Sequence, residues 1–224
     1  METALIVGAG SGLSASLARL FAKEGMRVAL AARNTGKLAA IVKETGAAPI
    51  ECDASAPAQV EALLGKVEVP DLVVYNASYR ARGPLVSLDP VEVERTLAIS
   101  AYGGFLVGQA AAKRMLPRGS GSIFFTGASA SVKGYAESAP FAMGKFALRG
   151  LAQSMARELH PRGIHVAHFV IDGGIRSGRR PETAGQSDSL LDPDAIAATY
   201  LHVLQQPRST WTWEVELRPW VERF

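Results

Sequence analysis

The stretch VGAGSGLS (7–14) closes an apolar run, TALIV (3–7), and opens an amphipathic one, SGLSASLARLFAKEG (11–25). Five apolar residues that stop at glycines read as a buried strand. Leu13, Leu17, Leu20 and Phe21 recur at helical spacing, and Gly25 ends the pattern. A strand, a glycine-rich turn and a helix in immediate succession leave few folds open. The first helical N–H groups have no partner inside the helix, so they point out of the turn.

The same alternation continues along the chain. RVALAAR (27–33), PIECD (49–53) and DLVVYNAS (71–78) read as strands, separated by helices over TGKLAAIVKETG (35–46) and PAQVEALLGKV (57–67). A long helix starts with Asp89 as N-cap and Pro90 at the first helical position and continues to residue 116. Gly103 and Gly104 in its middle predict close packing or a kink. SIFFTG (122–127), IHVAHFVI (164–171) and WTWEVEL (211–217) complete seven strands, with helices to about His160 and over DPDAIAATYLHVLQ (192–205). Seven strands alternating with six helices predict right-handed βαβ crossovers. The expected fold class is α/β: a single Rossmann-type, doubly wound, parallel seven-stranded sheet with helices on both faces. With no linker or repeat, residues 1–224 are expected to form one domain. GGIRSGRRPETAGQSDSL (173–190) is the least regular stretch, and its length suits a lid or a disordered segment.

Composition narrows the function. At 48% hydrophobic and 20% charged, the chain resembles a soluble globular protein. Its apolar runs fall short of the roughly 18 residues of a membrane span, so no membrane partner is expected. The net charge of +3 is dispersed apart from RSGRR (176–180), which reads as a basic loop near an anionic ligand, and no nucleic-acid partner is expected. The single cysteine, Cys52, forms no intramolecular disulfide and fits a reducing compartment; with no leader pattern, cytoplasmic localisation is expected. No metal site is expected.

The glycine turn is where the pyrophosphate of a dinucleotide docks in such folds. Free helix N–H groups face the anion, and glycines let it approach. Gly8, Ser11, Gly12 and Leu13 are the turn residues expected to hold it. A carboxylate at the end of the second strand would hold NAD's ribose hydroxyls. That strand ends instead in ALAARN, and the Arg33 guanidinium matches a 2′-phosphate. NADP (NADPH) is therefore expected over NAD; the alternative is an ordinary solvated arginine. Asp53, closing the third strand, can accept from an adenine amino group or cap the next helix.

Together these elements resemble the short-chain dehydrogenase/reductase superfamily over essentially the whole chain. Gly8-x-x-x-Gly12 matches its glycine motif, with Ser14 where a third glycine is usual. Arg33 matches its NADP-preferring pattern, and Asp53 its acidic residue after the third strand. YNAS (75–78) keeps Asn76 and Ala77 of Asn-Asn-Ala-Gly, and DGGIRS (172–177) keeps Gly173 and Ile175 of the motif after the sixth strand. Lys145 lies at the family's active-site lysine. The resemblance implies hydride transfer between a nicotinamide and a carbonyl or alcohol. In the family a tyrosine moves the proton, a lysine holds the nicotinamide ribose and lowers the tyrosine pKa, a serine binds the substrate oxygen and an asparagine anchors a water relay. Here the tyrosine position is Phe141, the serine position Ala128 and the asparagine position Ser100; Lys145 alone survives. Ser129 is one residue away from the serine position, but strand alternation is expected to turn it to the opposite side.

Two functions follow. One is an NADP(H)-dependent oxidoreductase with a degenerate active site, acting on a small molecule whose oxygen needs no protonation, such as an activated C=C or C=N bond. The other is a catalytically inactive NADP(H)-binding protein that senses redox state or holds a partner. The implied cofactor set is Gly8, Ser11, Gly12, Leu13, Arg33, Asp53, Asn76, Ala77, Lys145 and Ile175, with Lys145 the residue expected to serve catalysis. Tyr135, Ser138, Tyr79 and Tyr102 are candidate substitute acids by their place in the fold. His165 and His168, inside a strand, are read as structural. The resemblance also implies a homodimer or homotetramer built on the long helix and the 141–160 helix.

Overall fold

In the computed structural model, described for all residues but 68, 179, 183, 184, 186, 223 and 224, the sheet has the order β3-β2-β1-β4-β5-β6-β7. The strands are β1 (Thr3–Val7), β2 (Arg27–Ala32), β3 (Ala48–Glu51), β4 (Leu72–Tyr75), β5 (Gly121–Thr126), β6 (Ile164–Ile171) and β7 (Glu214–Leu217). Every neighbouring pair is parallel. Strands buried on both faces read as continuous apolar runs, as β1, β4 and β6 do.

Alternation along β1 divides the core. Ala4 and Ile6 face α1 (Leu13–Lys23) and α7 (Pro193–Leu204), whose Leu17, Phe21, Ile196 and Tyr200 close that side. Leu5 and Val7 face α3 (Pro57–Lys66), α5 (Gly103–Met115) and α6 (Ala139–Leu159), packed by Leu63, Ala111 and Leu148. The sheet is thus wound on both sides. Its order reverses direction from β1, which pairs with β2 on one side and β4 on the other. A crevice opens at the carboxyl ends of strands at such a point.

The expected helix over 89–116 is interrupted. Asp89 caps α4 (Pro90–Leu97) through Val91 N–H, as its place before Pro90 predicts. A π turn (Ala98–Tyr102) then precedes α5. The glycines behind the turn serve packing: a Cβ on Gly103 would overlap the Tyr75 hydroxyl, and one on Gly104 the Leu148 side chain. The 35–46 helix likewise divides into a 3-10 turn (Thr35–Leu38) and α2 (Ala39–Thr45). β7 begins three residues later than expected, because Thr212 and Trp211 bond back to Gln206. No helix among the described residues is long and apolar enough to cross a membrane.

Candidate functional site

Two cavities open along the carboxyl edge of the sheet. The larger, about 990 Å³, runs under the glycine turn and is lined by Gly8, Ser11, Gly12, Arg33, Asp53, Asn76 and Ala77. Seven of the expected cofactor residues therefore meet in one place. Leu13 is buried in the core at the start of α1, Ile175 lines the second cavity, and Lys145 lines neither.

The turn is fixed from below. Gly8 sits at φ 85°, and its Cα lies against the Ala77 backbone so closely that any Cβ would overlap it. Gly10 and Gly12 have open space where a Cβ would stand, so an anion can approach their backbone. Ser14, where the resemblance implies a glycine, faces inward. Its Oγ accepts from Asn76 Nδ2 at 2.7 Å and donates to Gly8 O at 3.4 Å. This ties the turn to the end of β4, a role nothing in the sequence pattern signals.

At the far end, Arg33 is exposed at the cavity mouth, with Lys37 and Arg19 also on the lining. Asp53 does not cap α3, whose N-cap is Ala56. Its Oδ1 accepts from Ser55 N at 2.9 Å and Ser55 Oγ at 2.6 Å. The Ser55 hydroxyl is the main reason its carboxyl titrates below the usual range.

The second cavity, about 800 Å³, lies where β5 and β6 end, and Phe141, Ala128, Ser129, Tyr135 and Ser138 line it. Phe141 is 9% exposed. The Arg80 guanidinium lies over its ring at 4.6 Å, and the Lys145 ammonium sits 5.8 Å from the ring centre. Lys145 is buried, and its Nζ donates to Thr126 O at 2.7 Å; burial pushes its pKa down to about 8. A neighbouring hydroxyl would be its natural second acceptor, and Phe141 offers none.

Ser129 departs from expectation. β5 stops at Thr126, so strand alternation no longer governs residues 128 and 129, and both line the same cavity. Ser129 opens a 3-10 turn (Ser129–Ser131) instead. Of the substitute acids, Tyr135 and Ser138 line this cavity. The Tyr79 hydroxyl is bonded to Glu92, and Tyr102 stacks on Phe105. Ser100 lies in the π turn, fully buried, with its Oγ bonded to both Tyr79 N and Tyr79 O at 3.2 Å.

A buried chain of hydrogen bonds holds Ala128 from behind. Ala128 N donates to Ser131 Oγ at 3.1 Å, and Ser131 lies 3.4 Å from His168 Nε2. His168 Nδ1 is 3.0 Å from Glu214 Oε2, and Arg149 grips the same carboxylate at 2.6 and 2.7 Å. A carboxylate only accepts, so Nδ1 carries the proton and Nε2 receives the Ser131 hydroxyl. Burial holds the His168 pKa at about 4, which agrees with a neutral ring. Both strand histidines are structural here: His165 is buried, bonded to Thr212 O at 2.9 Å and stacked on Trp211.

The family match covers residues 2–183 and is described as short chain dehydrogenase. A short-chain dehydrogenase from Rhodopseudomonas palustris, known by its crystal structure, is 35% identical, with a TM-score of 0.86 over 98% of this chain and 99% of that one. (+)-Borneol dehydrogenase 1 of Salvia officinalis is 34% identical over 190 residues, spanning 79% of this chain and 72% of its own. A metagenomic short-chain oxidoreductase solved in complex with NADP is 26% identical, with a TM-score of 0.84 over 99% and 98% of the two chains. With this sheet order, this glycine turn and these relatives, the chain belongs to the short chain dehydrogenase family of oxidoreductases.

Proposed function

We propose that the chain is an NADP(H)-dependent oxidoreductase whose proton-transfer site departs from the family's usual set. The observation that carries this reading is Phe141 in the wall of the second cavity, over Lys145, where the resemblance implies a tyrosine. Ala128 and Ser100 depart at the two other positions, and the hydroxyl of Ser100 is taken up by the Tyr79 backbone. The preference for NADP rests on Arg33 at the mouth of the larger cavity, with no carboxylate at the end of β2. A relative solved with NADP adds support.

NADPH, when bound, supplies a hydride. The chain's own contribution is then to bind and orient. The turn's free N–H groups and Arg33 would hold its phosphates, and Phe141, beside Arg80, would give the substrate a wall without a hydroxyl. A substrate that needs no proton at oxygen suits this wall, because general acid help typically contributes only about 10²–10⁴-fold. The proposed assembly is a homodimer or homotetramer. Its support is four exposed apolar side chains on the π turn, α5 and α6: Tyr102, Phe105, Met143 and Phe146.

Fluorescence titration tests the cofactor. NADPH is expected to bind at least about tenfold more tightly than NADH, and Arg33→Gln to remove most of that difference. Equal affinities in the wild type would refute Arg33's role. Turnover tests the wall: Phe141→Tyr with Ala128→Ser is expected to raise simple ketone reduction on the order of 10²-fold. Wild-type ketone reduction already at the double variant's rate would refute the altered site. The second reading, a binding protein without turnover, is favoured by the three substituted positions. It predicts NADPH binding with no hydride transfer to carbonyl, enone or imine probes.

A further inference from the structure

Arginines line the second cavity beside Phe141. Arg80 and Arg82 come from the loop after β4, and Arg180 from the segment after β6; all three line the same 800 Å³ space. Arg80 is held in place: its guanidinium stacks on Phe141 at 4.6 Å and its Nη2 donates to Ser138 Oγ at 3.3 Å. Arg180 lies across Gly174, where a Cβ would come within 2.7 Å of its Nη1. Its backbone is pinned by paired hydrogen bonds with Ser177 at 3.0 Å.

Arg19, Arg114, Arg118, Arg149 and Arg176 each have a carboxylate partner, whereas Arg33, Arg157, Arg162 and Arg208 show none among the described residues. What distinguishes Arg80, Arg82 and Arg180 is that they share one cavity. Among the described residues, Arg80, Arg82 and Arg180 have none within ion-pair distance, and Glu137 is the one carboxylate on the cavity lining. Partial burial, and then the charges of Arg82 and Arg180, push the Arg80 pKa down. Like charges gathered on one cavity lining raise the free energy until an anion joins them. The cofactor's phosphates do not serve, because the glycine turn and Arg33 line the other cavity.

We propose that this cavity recognises an anionic group, a carboxylate or a phosphate ester, carried by the substrate, with Arg80, Arg82 and Arg180 as its receptors. The proposal rests on the oxidoreductase reading for the word substrate and on the arginine geometry for the anion. Guanidinium forks suit both oxyanions in geometry and charge. The group would be gripped within the same space as Phe141, so affinity for the anion would orient the rest of the molecule beside that ring.

Calorimetric titration of the full chain, saturated with NADP⁺, with benzoate, phenyl phosphate and neutral benzamide tests this. At least one anion is expected to bind about tenfold or more tightly than benzamide. Which of the two wins identifies carboxylate or phosphate. Arg80→Gln and Arg180→Gln, both at exposed positions, are each expected to weaken that anion by about fivefold or more, with NADPH affinity unchanged. Arg157→Gln removes the same charge outside both cavities and is expected to leave anion binding within about twofold. Benzamide binding as well as the anions, neither anion binding, or an equal loss in all three variants would overturn the proposal. Should NADP(H) not bind, the oxidoreductase reading fails; the same titration of the chain alone still reads the arginine site.

Discussion

Gly8 holds a conformation that side chains rarely adopt, and it touches the Ala77 backbone at the same point. Gly8→Ala would therefore combine left-handed strain with overpacking, a loss of about 3–5 kcal/mol. Chemical denaturation is expected to show that loss. Gly10→Ala, with open space at its Cβ, is expected to change stability by less than about 1 kcal/mol. The requirement at position 8 was legible in the sequence, because a glycine closing a buried strand before a helix has few other uses. Ser14 was not: a serine in place of a glycine reads as a lapse until Asn76 is seen bonded to it. Ser129 escapes the alternation for a different reason. Alternation predicts sides only while the strand lasts, and β5 ends three residues earlier. The arginine wall was invisible, since Arg80 and Arg180 lie a hundred residues apart and meet only through the topology.

At the scale of elements, α6 carries both Phe141 and Lys145, so its position sets the second cavity. It crosses the π turn at Gly144, where a Cβ would stand 2.8 Å from the Ser100 Cβ. Gly144→Ala is expected to push the helices apart and cost about 1–3 kcal/mol. The expected readouts are a lowered denaturation midpoint and weaker binding of whichever anion fills the second cavity. An unchanged midpoint would show that α6 is free to shift. The sequence marked a disturbance in this helix at Gly103 and Gly104, but the break begins at Ala98. A π turn has no residue signature of its own; the glycines record the tight packing behind it. Element types were otherwise readable wherever apolar residues kept a clean period. Ends were not, as at β7, where hydrogen bonds from residues 211 and 212 to Gln206 shorten the strand.

For the whole molecule, burial of His165 and His168 sets a pH limit. Both rings titrate near 4 in the fold, against 6.5 when exposed. Well above pH 6.5 both are neutral folded or unfolded, and nothing is lost. As pH falls from 6.5 toward 4, the unfolded chain takes up protons that the fold refuses. Stability then falls by at most about 3 kcal/mol per ring. Denaturation midpoints at pH 7 and pH 5 are expected to show this loss, and His165→Phe, which keeps a ring against Trp211, to reduce the slope. A flat profile between those values would contradict it. Loss from carboxylates belongs lower: burial disfavours the Glu214 carboxylate, but Arg149 and His168 hold its pKa below the usual range. Glu214 also has a place in time. It lies on β7, the last strand of the chain and the edge of the sheet, yet it anchors the histidine, serine and backbone chain behind Ala128. A ribosome makes β1 to β4, the strands of the glycine-turn cavity, well over a hundred residues before it makes Glu214. The strands under the glycine turn can thus emerge from the ribosome while the other half of the crevice still lacks its buttress.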